Sequence, residues 1–303
     1  MIEAKGLVKR YGNFTAVNGV SFHVQKGEVF GLLGPNGAGK TTTIEMLVCL
    51  RKPDGGTAVL SGFDVIKQQK QIKDVIGVQL QSTSLFELLT VKEIIELYAS
   101  FYPKNVSIPD LIEEMILTEK QNDRVKGLSG GQKQRLAIAL ALIHDPQIIF
   151  LDEPTTGLDP QARRTLWDIV LKLKGRGKTV VLSTHYMDEA HVLCDRIGIM
   201  DRGNLIALDT PDALVKQLQS DSAVEFRTVH PMEEQSFSAL SGVKQVSKRE
   251  DIYTLYTDHL QIALTSLIQF SSENDIELAD LKTRTATLED VFIHMTGRRL
   301  REE

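Results

Sequence analysis

The stretch that most limits how this chain can fold is VFGLL at 29–33 followed by GPNGAGKT at 34–41. An almost wholly apolar pentapeptide is what a strand buried on both faces requires. It leads straight into G-x-x-x-x-G-K-[ST] and then into a helical stretch, TTTIEMLVCL. That strand–loop–helix context is the one in which this spacing cradles phosphate. By chance the spacing arises in roughly one chain in a hundred of this length, and the context makes an ordinary glycine-rich turn a poor account of it. Gly34, Gly37 and Gly39, with Pro35, Asn36 and Ala38 between them, let consecutive backbone N–H groups converge on phosphate oxygens. The helix from Lys40 through Thr41 and Thr42 turns its positive dipole end toward the same anion. Lys40 is expected to reach the β- and γ-phosphates, and the Thr41 hydroxyl to bind Mg2+.

IIFLDEP at 148–154 supplies a second half. Four apolar residues end a buried strand, and two carboxylates follow at its carboxyl end. Asp152 is expected to hold Mg2+ through a water, and Glu153 to act as the general base that orients the attacking water. A nucleoside triphosphate and Mg2+ are therefore the ligands these two stretches imply.

The wider sequence bounds the architecture. At 303 residues the chain is long enough for one large domain and a smaller one. Its 42% hydrophobic and 25% charged residues suit a packed globule. A net charge of −5 argues against a broad nucleic-acid-binding face. Cys49 and Cys194 stand far apart with no C-x-x-C, so structural zinc is not expected, and both read as reduced, buried core thiols of a cytosolic protein. MIEAKGLVKRYG has no apolar core of a signal peptide. The longest aliphatic run, LAIALALI at 136–143, is far short of the ~20 residues that span a bilayer.

Segments 2–9, 15–24 and 57–61 read as strands with glycine-containing turns. In LTVKEIIELYASFY, Thr90 and Glu93 form a capping box, and Val91, Ile94, Ile95, Tyr98 and Phe101 recur on one helical face. Another helix is expected over 110–120. QIIFLDEP, KTVVLSTH and RIGIMDRG are short apolar strands separated by amphipathic stretches, which implies a parallel sheet with helices on its faces. A boundary falls in KQLQSDS at 216–222. Beyond it lie two alternating strands (AVEFRTV and DIYTLYT), a helix over 260–273 and a strand over 276–284. A final helix follows, with Leu288, Val291, Phe292 and Met295 on one face and Thr287 as its cap. Roughly 80 residues make only a marginal core alone.

GLSGGQKQRL at 127–136 poses a problem. Ser129 and Gln132 form a capping box at a helix start, yet Gly130 and Gly131 in the first turn weaken that helix.

GPNGAGKT, LSGGQ, LDEP, GLD and STH in this order resemble the ATP-binding subunit of an ABC transporter over residues 1–218. TATLEDVFIHMTGR at 285–298 resembles, more weakly, the C-terminal extension of the daunorubicin-resistance/ABC-2 export branch. The resemblance implies an α/β fold: a P-loop ABC ATPase core of parallel sheet flanked by helices, an antiparallel β subdomain, a helical subdomain at about 82–145, and a small α+β domain over 219–303. It also implies roles. Tyr11 matches the aromatic that stacks on adenine. Gln81 matches the glutamine that contacts Mg2+ and the attacking water, although Leu80 stands where a proline is usual and Gln79 is an alternative. Asp159 matches the loop that couples two active sites, and His185 the histidine that holds the γ-phosphate. Ser129, Gly130, Gly131 and Gln132 would face the γ-phosphate bound to Lys40 of a second chain, which is the reason the resemblance offers for the two glycines.

The implied protein is the ATP-hydrolysing motor of an exporter of a drug, lipid or other small molecule. It would form a homodimer closed by ATP and drive a separate transmembrane permease from the cytoplasmic face of the cell membrane. Leu85, Phe86 and Leu88 in STSLFELLT are candidate permease contacts. The alternative is a soluble ABC ATPase acting on nucleic acid or the ribosome. Against it stand a single P-loop, no long coiled coil between GPNGAGKT and LSGGQ, and a basic tail of only RRLR at 298–301. A small-kinase reading leaves LSGGQ and the STH histidine without a role.

Overall fold

A computed structural model of the chain describes residues 1–81, 84–218 and 222–296. Ser82 and Thr83 of STSLFELLT, the middle of KQLQSDS, the end of TATLEDVFIHMTGR and the RRLR tail lie outside the described residues. The chain divides into two compact units, Met1–Thr210 and Pro211–Glu303. The sequence-based boundary at 218/219 falls later than this division.

The first unit holds two sheets. β1 (Ile2–Tyr11), β2 (Phe14–Val24), β4 (Gly55–Leu60) and β5 (Phe63–Asp64) form an antiparallel sheet in the order β2-β1-β4-β5. β3 (Val29–Leu33), β6 (Ile76–Gln79), β7 (Ile148–Asp152), β8 (Thr179–Thr184), β9 (Arg196–Asp201) and β10 (Asn204–Asp209) form the second, in the order β10-β9-β3-β8-β7-β6. Only β10 runs antiparallel in it. β3, β7 and β8 are buried at every position, as their unbroken apolar runs require. α1 (Lys40–Leu47) contributes Ile44, Met46 and Leu47 to a core shared with Ile2, Leu7 and Phe22 of one sheet and Phe30, Leu32 and Phe150 of the other. Phe22 and Phe30 stack across it with centroids 5.0 Å apart.

This topology positions the site. β3, β8, β7 and β6 are neighbours, and the segments leaving their carboxyl ends carry Lys40, His185, Asp152–Glu153 and Gln81 in that spatial order. Ligands of open α/β sheets bind at such ends.

Between α2 (Gln69–Val75) with β6 and β7 lies the helical region: α3 (Val91–Ala99), α4 (Ile108–Glu114) and α5 (Gly130–Leu142). The Thr90–Glu93 capping box is present. Val91, Ile94 and Ile95 are buried as expected, but the helix stops at Ala99 and Phe101 lies beyond it, largely exposed. The helix expected over 110–120 instead starts at Ile108, behind an N-cap from Ser107, and ends at Glu114. Ile116 then takes a left-handed conformation before a short 3-10 turn at Thr118–Lys120. Of the two thiols, Cys194 is buried but Cys49 only partly so.

α6 (Pro160–Gly175) and α7 (Met187–Leu193) link β7, β8 and β9. In the second unit, α8 (Pro211–Lys216), α9 (Gln235–Ser238), α10 (Leu260–Glu273) and α11 (Leu288–Thr296) accompany an antiparallel sheet of order β12-β13-β11-β14. Its strands are β11 (Ser222–Thr228), β12 (Gln245–Arg249), β13 (Ile252–Thr257) and β14 (Leu278–Thr285). β12, without a clear apolar alternation, is the strand of this sheet that the sequence reading passed over, as it passed over β5, β6 and β10 of the first unit. Met295 is partly exposed rather than buried with Leu288, Val291 and Phe292. The expected cap is inverted: Thr287 donates through its N–H (2.8 Å) and hydroxyl (3.0 Å) to Asp290, which also binds Arg284 and Tyr256.

α5 and α6 start side by side. A Cβ on Gly131 would stand 2.9 Å from Cβ of Ala162, whereas one on Gly130 meets only Leu158 at an ordinary 3.9 Å. Gly131 is therefore required within the chain itself, a reason the phosphate argument did not supply. Gly131→Ala is expected to lower unfolding stability by about 1–3 kcal/mol through overpacking. Gly130→Ala should leave it unchanged or raise it by up to about 1 kcal/mol through helix propensity. Denaturant titration of the two variants checks the contrast.

Candidate functional site

The P-loop starts where β3 ends. The Gly34 N–H donates to the carbonyl of Thr184 at the end of β8 (3.3 Å), tying the loop to the neighbouring strand. Gly39 caps α1 with φ of 100°, and a Cβ there would lie 2.4 Å from the Ala16 carbonyl oxygen. No side chain caps α1, so the N–H groups of its first turn are left for another acceptor. α5 and α6 differ. Ser129 Oγ accepts from the Gln132 N–H (3.3 Å) while Gln132 Oε1 accepts from the Ser129 N–H (2.8 Å). Asp159 accepts from the N–H groups of Gln161 and Ala162, both at 2.9 Å.

Lys40 is buried and donates to the carbonyls of Gly34 (2.8 Å) and Pro35 (3.0 Å). Its ammonium lies 3.2 Å from Glu153 Oε1. Burial lowers the lysine's pKa, and Glu153 opposes the shift. Around the other oxygen of Glu153 gather Thr156 Oγ1 (3.1 Å), Gln81 Nε2 (3.3 Å) and His185 Nδ1 (3.4 Å). The neighbouring imidazole first, and Lys40 after it, hold Glu153 down at about 2 against the effect of burial. Glu153 also has a left-handed φ of 46°. Its N–H donates to Ser183 Oγ (3.0 Å), which anchors that unusual turn.

Asp152 is almost fully buried. Its Oδ1 accepts from Thr41 Oγ1 (3.1 Å) and from Ser183 Oγ. Its Oδ2 is buried without a partner. Burial pushes its pKa up. A carboxylate oxygen orphaned beside a threonine hydroxyl fits a hard divalent cation that keeps some of its waters.

The geometry brings Lys40, Thr41, Asp152, Glu153, Gln81 and His185 together. Gln79, the alternative to Gln81, is buried in β6 and donates to the backbone carbonyls of Leu80 (2.7 Å) and Asp152 (3.4 Å) rather than to the Glu153 carboxylate. Tyr11 ends β1, partly exposed, with Lys9 Nζ and the Arg51 guanidinium 5.7 and 5.5 Å from its ring centre. Ser129, Gly131, Gln132 and Asp159 do not join the cluster. They line a separate hollow of about 350 Å3. Ser183 and Thr156 escaped the sequence reading. Hydroxyls inside LSTH and DEPTT carry no pattern of their own, and only their place beside two named carboxylates marks them.

The model of the ABC transporter family matches residues 17–156. The linearmycin resistance ATP-binding protein LnrL of Bacillus subtilis (strain 168) is 36% identical over 312 residues, spanning the whole of both chains. The Nod factor export ATP-binding protein I of Mesorhizobium japonicum is 39% identical over 311 residues, with 99% of this chain and 88% of that one covered. Among solved structures, the dimeric ATP-binding cassette MJ0796 in a post-hydrolysis state bound to ADP and Pi superposes with a TM-score of 0.63 at 30% identity, covering 69% of this chain and 98% of that one. With a phosphate loop, an acidic strand end and full-length relatives of this kind, the chain belongs to the ABC transporter family, as an ATP-binding subunit whose ATP hydrolysis is coupled to transport.

Proposed function

We propose that this chain is the motor subunit of an exporter, working as an ATP-closed dimer on a separate membrane subunit. The observation that carries the reading is the gathering of Lys40, His185 and Gln81, from three neighbouring strand ends, around the buried Glu153 carboxylate of a fourth. The uncapped start of α1, with residues 34–42, would hold the phosphates of ATP. Tyr11 would stack on adenine. Thr41 and Asp152, with Gln81 nearby, would hold Mg2+, which would supply charge neutralisation at the phosphates.

Glu153 is the proposed base, yet a carboxylate held at about 2 accepts protons poorly. Phosphates that draw Lys40 toward themselves would release Glu153 and raise its basicity. His185 would hold the γ-phosphate and relax the same restraint. On this reading the resting site is kept unreactive by its own ion pair.

Ser129 to Gln132 would meet the γ-phosphate of a second copy, and Asp159 would couple the two sites. Their separation from the Lys40 cluster supports a site completed across a dimer. In the single chain Ser129 and Gln132 satisfy each other, so that contact requires their capping box to adjust. The membrane subunit would dock beside the Gln81 segment. A hollow of about 440 Å3 there is lined by Leu50, Leu80, Tyr98, Tyr102 and His144 among others. Phe86 and Leu88 are exposed at 56% and 71%. No helix among the described residues is long and apolar enough to cross a membrane, which suits a peripheral subunit on the cytoplasmic face. The Nod factor export ATP-binding protein among the relatives supports export, and neither relative favours action on nucleic acid or the ribosome.

Lys40→Ala is expected to abolish productive ATP binding, read by equilibrium nucleotide titration; near-native turnover would remove the phosphate-loop assignment. Glu153→Gln should slow hydrolysis by about 10²–10⁴-fold while leaving an ATP-bound dimer detectable by size-exclusion chromatography. A chain that stays monomeric with ATP at high protein concentration would count against the dimer. Mixing Lys40→Ala with Ser129→Arg chains tests the shared site. In the mixed dimer one site carries both lesions and the other neither, so activity should be partly recovered.

A further inference from the structure

Beneath the reacting cluster lies a buried carboxylate that none of the roles above uses. Glu189, in the first turn of α7, is fully buried. Its Oε1 accepts from Trp167 Nε1 of α6 at 3.1 Å. The hydroxyls of Thr184 and Thr155 also lie against the carboxyl, and Arg163 of α6 is close enough to be felt as a charge. Each neighbour belongs to a segment that carries a site residue. Thr184 precedes His185. Thr155 is two residues beyond Glu153. Trp167 and Arg163 stand on the helix that Asp159 caps.

The cluster is incompletely satisfied. Glu189 Oε2, Thr155 Oγ1 and Arg163 Nε are all buried without a well-aligned hydrogen-bond partner. Arg163 also stacks over the Tyr186 ring at 4.2 Å, and Tyr186 in turn lies against His185 with ring centres 4.1 Å apart. An apolar side chain here would remove the unpaired Oε2 but leave the Trp167 N–H without its acceptor. A polar group kept here specifies geometry, and its unsatisfied atoms leave room for a second arrangement with better-aligned bonds.

We propose that Glu189 is a positioning residue that holds the His185 and Glu153 strand ends in register with α6, so that a displacement at the Asp159 end of that helix reaches the hydrolytic groups. The proposal rests on the site reading given above. It deepens that reading by naming the buried contact through which a partner at Asp159 acts on the base.

Trp167 is the only tryptophan of the chain, so its emission reports this contact directly. The test compares the full chain with its Glu189→Ala and Glu189→Gln variants in steady-state ATP hydrolysis and in tryptophan emission with ATP or ADP. Glu189→Ala is expected to lower kcat by about 10- to 100-fold, as misplaced catalytic groups do, with KM for ATP within about twofold. Glu189→Gln, which keeps the shape and an acceptor for Trp167, should retain most of the turnover. ATP but not ADP should change the emission of the native and Gln chains, and neither nucleotide that of the Ala chain. Turnover of Glu189→Ala close to native, a KM that rises as kcat falls, or a native emission indifferent to ATP would each overturn the proposal. Should Glu189→Ala not fold, Trp167→Phe, which keeps the packing and loses the donor, must show the same selective loss of kcat, and native turnover there refutes the role. Lys40→Ala run in parallel separates the two levels. If it stays active the site reading fails, whereas a silent Lys40→Ala beside an active Glu189→Ala removes only the positioning role.

Discussion

The ion pair between Lys40 and Glu153 joins the two halves of the site. It crosses from the loop after β3 to the loop after β7, both ends nearly inaccessible to water. A buried pair of this kind brings little net stability, because desolvation consumes most of the attraction, yet losing one partner leaves an uncompensated charge. Here each member has further partners. The loop carbonyls of Gly34 and Pro35 hold the ammonium, while Thr156, Gln81 and His185 surround the carboxylate. The pair thus fixes loop, carboxylate and histidine in one arrangement, and the lowered pKa of Glu153, due first to His185 and then to Lys40, is the electrostatic signature of that arrangement.

Much of this was legible in the sequence because the signals are local and periodic. Unbroken apolar runs became strands buried on both faces, and the loops after them carry the candidate site. The Thr90 and Ser129 capping boxes formed as their spacing requires. The weaker readings failed where tertiary context outweighed periodicity. Phe101 keeps the helical spacing but lies beyond the end of α3 at Ala99. Segment 110–120 has helical composition throughout, yet Ile116 turns left-handed and divides it. β12, with a polar pattern that is partly exposed at every position, is a strand only because β13 offers it an edge.

The candidate site was readable to the same depth. Residues with a spacing could be found: the phosphate loop, the acidic strand end, the helix start. Residues defined by a neighbour could not. Ser183 matters because it bonds both Asp152 and the Glu153 backbone, and Glu189 because three chain segments converge on it. The choice between Gln81 and Gln79 was likewise open in one dimension. The two stand two residues apart, so strand alternation alone would put both on one face; the structure instead buries Gln79 as the last residue of β6 while Gln81, past the strand end, reaches Glu153. Gly131 carries the same lesson in reverse. A glycine explained by an absent ligand proved to be required by Ala162 of its own chain.

The starts of α1 and α5 differ in one respect that bears on competition among anions. α1 begins without a side-chain cap, so its first-turn N–H groups are open to an acceptor from outside. α5 begins with its own capping box closed, so a small free anion entering there must first displace an acceptor already in place. In a solution rich in inorganic phosphate and carboxylates, that difference works as a filter. On the proposed reading the open start would accept ligand on affinity alone, whereas the closed start would yield only to an anion presented at high effective concentration, fixed in place by something else already bound.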